Sequence, residues 1–111
     1  MINIHVVRDN EGFIWEFTVD GHAGFGAAGN DIVCSAVSAL AYTAIGALED
    51  VAGIKFDYSI EDSGYMRCSI PTDIPFHKKN EVGTILKTIV LGFKQIELSY
   101  GKYVAVLDEE V

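Results

Sequence analysis

Two runs of the sequence decide the fold: Ile2-Asn3-Ile4-His5-Val6-Val7-Arg8 and Phe13-Ile14-Trp15-Glu16-Phe17-Thr18-Val19, split by Asp9-Asn10-Glu11-Gly12. Both runs alternate and are rich in Ile, Val, Phe and Trp, and the segment between them is a turn signal. They read as the arms of an antiparallel hairpin. In the second arm Phe13, Trp15, Phe17 and Val19 are expected on one face, with Glu16 and Thr18 on the other. A chain that opens with a hairpin is not opening a β-α-β unit, so a doubly wound parallel sheet is disfavoured from the start.

Outward from the hairpin, Asp31 to Ala52 places Val33, Val37, Leu40, Ala44, Leu48 and Val51 at three- and four-residue steps, which predicts a helix. Alternation returns over 54–61, with Ile54, Phe56, Tyr58 and Ile60 expected on one face. Asp62-Ser63-Gly64 then turns into a strand near 65–70, and Pro71 to Lys79 reads as a loop with two prolines. Asn80 to Tyr100 repeats the helical spacing through Val82, Ile85, Ile89, Phe93, Ile96 and Tyr100, and a last strand is expected over about 103–107. The order is ββαββα plus a final strand. It predicts an α+β two-layer sandwich, with two helices on one face of a mixed or antiparallel sheet.

Composition bounds the function. The 111 residues make one expected domain, 1–111, and half of them are apolar while only 22% are charged, which excludes a disordered tail. The formal net charge of −8 argues against direct binding of nucleic acid and favours attraction to a basic partner. Two cysteines are no disulfide framework. Met1 to Arg8 lacks the basic flank and apolar block of a signal peptide. The longest uncharged run, Ile32 to Leu48, carries Ser35, Ser38, Thr43 and Gly46 and is read as short of a membrane span. A cytoplasmic protein with no membrane partner is expected. No C-x-x-C or H-x-x-x-H spacing occurs, so neither a metal site nor a cofactor is expected.

The chemistry concentrates between the second strand and the first helix. Gly21-His22-Ala23-Gly24-Phe25-Gly26-Ala27-Ala28-Gly29-Asn30 holds four glycines in ten residues and is expected to be a mobile loop beside the active site. Gly24 to Gly29 spells G-x-G-x-x-G, but Asp31 puts a carboxylate where a pyrophosphate would sit, and the preceding strand belongs to a hairpin. Nucleotide binding is therefore disfavoured. With Asp31 as N-cap, Cys34 is the third helical residue, where unpaired amides and the helix dipole favour a thiolate. The Asp31 carboxylate acts the other way, so a basic partner is required. His22 can reach back across the glycine loop, take the thiol proton and later return it to a leaving amine. First-turn amides offer an oxyanion site, for which an Asp31 cap on the Cys34 amide competes. The plain alternatives are a small core cysteine, a solvated histidine and an aspartate that only caps. Ser38, one turn beyond Cys34, is either a packing residue or a support for the dyad. Cys68 reads as core, and His5 and His77 as surface residues.

The block Gly21-His22-Ala23-Gly24, a short glycine-containing loop, then Asp31-Ile32-Val33-Cys34-Ser35-Ala36-Val37-Ser38-Ala39-Leu40 resembles the ribosomal-processing cysteine protease family (Prp). Ser63-Gly64-Tyr65-Met66 resembles the second hairpin of that family, and Gln95 to Val104 its last helix and strand. The resemblance implies Cys34 as nucleophile and His22 as general base and acid, with Gly21, Asp31 and Ser38 in support and Gly24, Gly26 and Gly29 in a substrate loop. It implies a homodimer that removes an N-terminal extension from a basic large-subunit ribosomal protein, protein twenty-seven. The other reading of the same features is a non-catalytic module that captures a basic ribosomal segment during assembly.

Overall fold

The computed structural model describes residues 1–26 and 31–111. The expected hairpin is there: β1 spans Ile2–Arg8 and β2 spans Ile14–Asp20, paired antiparallel with Ile4 opposite Val19 and Val6 opposite Phe17. After β2 come the helix α1 (Ile32–Gly46), the strands β3 (Asp57–Ile60) and β4 (Met66–Ser69), the helix α2 (Lys79–Ser99) and the strand β5 (Val104–Glu110). The sheet order is β3-β4-β2-β1-β5. Only β1 and β5 run parallel, so the sheet is mixed and the fold is the expected α+β sandwich.

One face of the hairpin differs from the simple alternation. The register slips between Val7 and Arg8, from Val7 opposite Glu16 to Arg8 opposite Ile14. This bulge gives β2 one extra residue and reverses the facing of everything before it. Ile14 therefore joins Phe17 and Val19 in the core, while Phe13 and Trp15 are only partly buried. These two rings stack edge to face at 4.4 Å beneath the Lys79 ammonium. The turn beneath them is tied by Asp9, whose carboxylate accepts from the Glu11 and Phe13 amides and from Trp15 Nε1.

The core lies between the sheet and the helices. Ile2, Ile4, Val6, Phe17, Val19, Met66 and Cys68 share the covered side. The opposite side is wetter and carries the Arg67–Glu16 ion pair at 2.8 Å. From α1 come Val33, Val37, Ala41, Ala44 and Ile45; from α2 come Val82, Leu86, Ile89, Val90 and Phe93. The two helices approach closely at Gly92, where an added Cβ would lie 2.7 Å from Leu40 Cδ1. Leu40, Ile85, Ile96 and Tyr100, which share the helical spacing, are partly buried and pack against this core.

The end of the first helix also departs from expectation. Beyond Gly46 the helix widens into a π turn over Ala47–Val51, closed by the Ala52 N–H on the Ala47 carbonyl, and Gly53 leaves it at φ +66°. That widening turns Val51 out to 68% exposure. By length and composition Ile32–Val51 is long and apolar enough to cross a bilayer, contrary to the sequence expectation. In the fold its inward row (Val33, Val37, Ala41, Ala44, Leu48) is buried in the core. The third strand is shorter than the 54–61 alternation suggests. Tyr58 and Ile60 pair with Cys68 and Met66 on the helix side, yet stay 45% and 43% exposed because β3 is the outermost strand.

The C-terminal strand is fastened from the helix side. Glu97 of α2 accepts the Val106 N–H at 2.7 Å, and Asp108 accepts from Arg8 Nε at 2.9 Å and Lys94 Nζ at 3.0 Å. Burial works against a charge on Asp108, but these two cations hold its carboxyl below the usual range.

Phe93 is 0% exposed and meets Phe17 edge to face at 5.6 Å, joining α2 to the sheet centre. Phe93→Ala is expected to cost about 3–5 kcal/mol of stability through the cavity it leaves. A urea unfolding midpoint lowered at unchanged slope is the measurement that checks it.

Candidate active site

The site begins where β2 runs out. Gly21 sits at φ +96°, and a Cβ there would run into the Met1 carbonyl oxygen. Only glycine can carry the chain through this gap. The backbone then delivers an exposed His22, a buried Ala23 and a second left-handed glycine, Gly24 at φ +71°.

The far side of the site is the start of α1. Asp31 has extended backbone (φ −83°, ψ 100°) and caps the helix as the sequence predicts. Its Oδ1 accepts the Val33 and Cys34 N–H groups, both at 3.0 Å. Its Oδ2 accepts the Phe25 N–H at 3.2 Å, so one carboxylate ties the loop to the helix. The Ala23 N–H donates to Cys34 Sγ at 3.3 Å, a second tie. The Phe25 ring adds a third, lying edge-on to Tyr103 at 5.2 Å and Tyr100 at 5.7 Å. The stretch from Gly21 to Gly26 is thus held at several points. Gly29, the remaining expected loop glycine, lies outside the described residues with Ala27, Ala28 and Asn30.

These residues enclose a cleft of about 520 Å³, into which His22, Gly24, Gly26, Asp31, Cys34 and Ser38 all project. Six of the residues singled out in the sequence therefore meet in one place. Gly21 shapes the loop from behind. The imidazole and the thiol share the cleft, but among the described residues no hydrogen bond joins them; the sulfur accepts the Ala23 N–H.

Burial pushes the Cys34 thiol above its ordinary pKa; the Ala23 amide opposes this, and the hydrogen bond and charge of Asp31 add to it. Asp31 itself is held below the usual carboxylate range, chiefly by the Cys34 amide and against the cost of burial. The balance in this geometry favours the thiol over the thiolate. The first-turn amides considered as an oxyanion site are spent, since the Val33 and Cys34 N–H groups already serve Asp31. Cys68 takes no part: it lies in the core and burial drives its thiol up to about 12. Among the described residues no three His, Cys, Asp or Glu side chains gather closely enough to hold a metal ion.

Sequence reasoning missed the groups that hold the loop, the Ala23 amide and the Phe25 ring with Tyr100 and Tyr103, and it missed Ser35 as a lining residue of the cleft. A backbone amide leaves no trace in residue type. The two tyrosines read as helix end and strand start, with no pattern linking them to a segment some 75 residues earlier.

Comparison with known proteins gives the class and then the family. Residues 1–105 match the family described as cysteine protease Prp. The protein is a cysteine protease, a peptide hydrolase that works through a thiol. The chain belongs to the Prp family. It is 29% identical over 105 residues to the ribosomal processing cysteine protease Prp of Staphylococcus aureus, covering 92% of this chain and 93% of that one. The Bacillus subtilis protein of the same name is 28% identical over 101 residues, 90% of each chain. Among solved structures, the essential ribosomal processing protease Prp from S. aureus, in complex with a covalently linked product peptide, superposes with a TM-score of 0.88 at 26% identity. That match covers 98% of this chain and 100% of the other. SMU.848 from Streptococcus mutans superposes with a TM-score of 0.81 at 27% identity over 100% and 96% of the two chains.

Asp31→Asn keeps an oxygen to cap the helix and removes the charge that opposes the thiolate. The pH profile of Cys34 alkylation by iodoacetamide is expected to move to lower pH than in the wild type. The wild-type thiol should react slowly at neutral pH and speed up only above the ordinary range near ~8.5. Superimposable profiles would mean that the Asp31 charge does not act on the sulfur.

Proposed function

We propose that this protein is an endopeptidase that removes an N-terminal extension from a basic large-subunit ribosomal protein, protein twenty-seven, with Cys34 as nucleophile and His22 as general base and acid. The observation that carries the reading is the convergence of His22 and Cys34 on one cleft, at a helix start tied to a glycine loop. The S. aureus relative with a covalently linked product peptide supports a covalent mechanism, and the names of both relatives support a ribosomal substrate.

The chemistry follows from the resting geometry. The thiol starts protonated, so His22 must come within hydrogen-bonding reach and take its proton as the sulfur attacks the scissile carbonyl carbon. The carbonyl oxygen gathers negative charge, and the tetrahedral species collapses to a thioester on Cys34. The imidazolium returns its proton to the departing amine. His22 then takes a proton from water, whose oxygen attacks the thioester; the carboxylate product leaves and the thiol is restored. Because His22 and Cys34 are not yet bonded, peptide binding has to bring them together. A site assembled in this way by its substrate restrains cleavage of other proteins.

The net charge of −8 favours approach of a basic substrate and adds little to affinity once it is bound. Family membership as a cysteine protease sets aside the passive binding module. The protein acts as a cytoplasmic homodimer in this reading. The exposed Ile32 and Tyr42 on α1, and Tyr58 and Ile60 on β3, support a second copy as a cover for apolar surface.

Mass spectrometry of a peptide spanning the extension of ribosomal protein twenty-seven tests the mechanism. Wild-type protein is expected to release two fragments, and Cys34→Ala none. His22→Ala is expected to lower kcat by about 10²- to 10⁴-fold, the span usual for general acid–base catalysis. Cleavage by Cys34→Ala at the wild-type rate would remove the sulfur from the mechanism.

A further inference from the structure

We propose that Gly64, on the β3–β4 hairpin, is a positioning residue for His22: its missing side chain is the seat on which the imidazole rests. The proposal builds on the His22–Cys34 reading above.

The argument starts from register. β2 and β4 pair antiparallel, with Thr18 opposite Arg67 and Val19 opposite Met66. Carried two residues past the last pair, the same register sets Gly21 across from Gly64. The hairpin turn that presents Gly64 is closed by the Gly64 N–H on the Glu61 carbonyl at 3.0 Å and the Glu61 N–H on the Tyr65 carbonyl at 2.9 Å. Gly64 has φ +93°, close to the +96° of Gly21 facing it.

A Cβ built on Gly64 would stand 3.3 Å from His22 Cε1, 3.8 Å from His22 Nδ1 and 3.7 Å from the Gly21 carbonyl oxygen. The first distance is tighter than ordinary van der Waals contact, so something must yield by a few tenths of an ångström. The backbone is poorly placed to yield, because Gly21 is wedged against the Met1 carbonyl. The exposed imidazole is the part free to move. Cε1 is bonded to both ring nitrogens, so a push on that atom displaces the nitrogen that must meet the Cys34 proton. Proton transfer depends steeply on such alignment: a misplacement of about 1 Å can cost on the order of 10²-fold in rate.

The fold supplies its own control. Gly12 lies at φ +85° in the β1–β2 turn, yet a Cβ there meets no heavy atom within 4 Å. Gly12→Ala therefore imposes comparable backbone strain without touching the histidine.

The experiment compares wild type, Gly64→Ala, Gly12→Ala, His22→Ala and the Gly64→Ala/His22→Ala double variant on the peptide used above. It follows the pH titration of the His22 Cε1–H resonance by NMR alongside. Gly64→Ala is expected to lower kcat about tenfold with KM within about twofold, and to shift the His22 resonance. Gly12→Ala should do neither, and in the His22→Ala background Gly64→Ala should add no further loss. Wild-type kcat in Gly64→Ala, an equal loss in Gly12→Ala, or a loss that persists without His22 would each overturn the proposal. Full activity in His22→Ala would instead sink the dyad. Wild-type kcat in Gly64→Ala beside an inactive His22→Ala would sink the Gly64 proposal alone. If Gly64→Ala does not fold, the wild-type protein still decides: an Overhauser contact between the Gly64 Hα and His22 Cε1–H protons is expected, and its absence counts against the seat.

Discussion

The Asp31 carboxylate is the constraint on which the site depends. It is one of the least exposed charged groups in the protein, and three backbone amides surround it: Val33 and Cys34 from the helix and Phe25 from the loop. Satisfying the helix start and anchoring the loop are thus one act. Burial pushes the neighbouring thiol up, and the same Asp31 charge adds to that. A thiolate beside this carboxylate would be repelled, which favours the thiol form at rest.

The rest of the fold serves that junction by fixing where its two halves end. The β1–β2 hairpin sets the place where Gly21 squeezes past the Met1 carbonyl, and the β3–β4 hairpin brings Gly64 against the imidazole. The α2–β5 connection contributes Tyr100 and Tyr103, which receive the Phe25 ring. Parallel pairing of β5 with β1 places that connection beside Phe25, because Ile2 and Val104 lie side by side where both strands begin. The cleft itself is lined by residues between His22 and Ser38, and Met1, Gly64, Tyr100 and Tyr103 brace its loop from elsewhere in the chain.

Much of this was legible in residue order. The two hairpins, both helices and the mixed layer arrangement follow from alternation of period two, from three- and four-residue spacing, and from turn residues. Asp31 as a cap and Cys68 as core were read from type and position alone, and both stand. The misreadings share a cause. Trp15 was expected on the face of Phe17 and Val19 because alternation assumes an unbroken ladder, and a bulge at Val7/Arg8 breaks it. Val51 was placed in the helical row of Val33 and Leu48 because that spacing assumes a uniform turn, and the helix widens over its last residues. Tyr58 and Ile60 were given a covered face, but a strand at the sheet's edge has less above it to be covered by.

By itself the sequence determined the elements, the capped helix start and the candidate pair His22 and Cys34, since each rests on local periodicity or on the chemistry of a few adjacent residues. Tertiary structure alone decided the burial that pushes the Cys34 thiol up, the docking of the Phe25 ring on Tyr100 and Tyr103 and the seating of the imidazole on Gly64. Those depend on burial and on contacts between segments tens of residues apart. Desolvation and long-range contact are properties of a packed interior, and no local pattern encodes them.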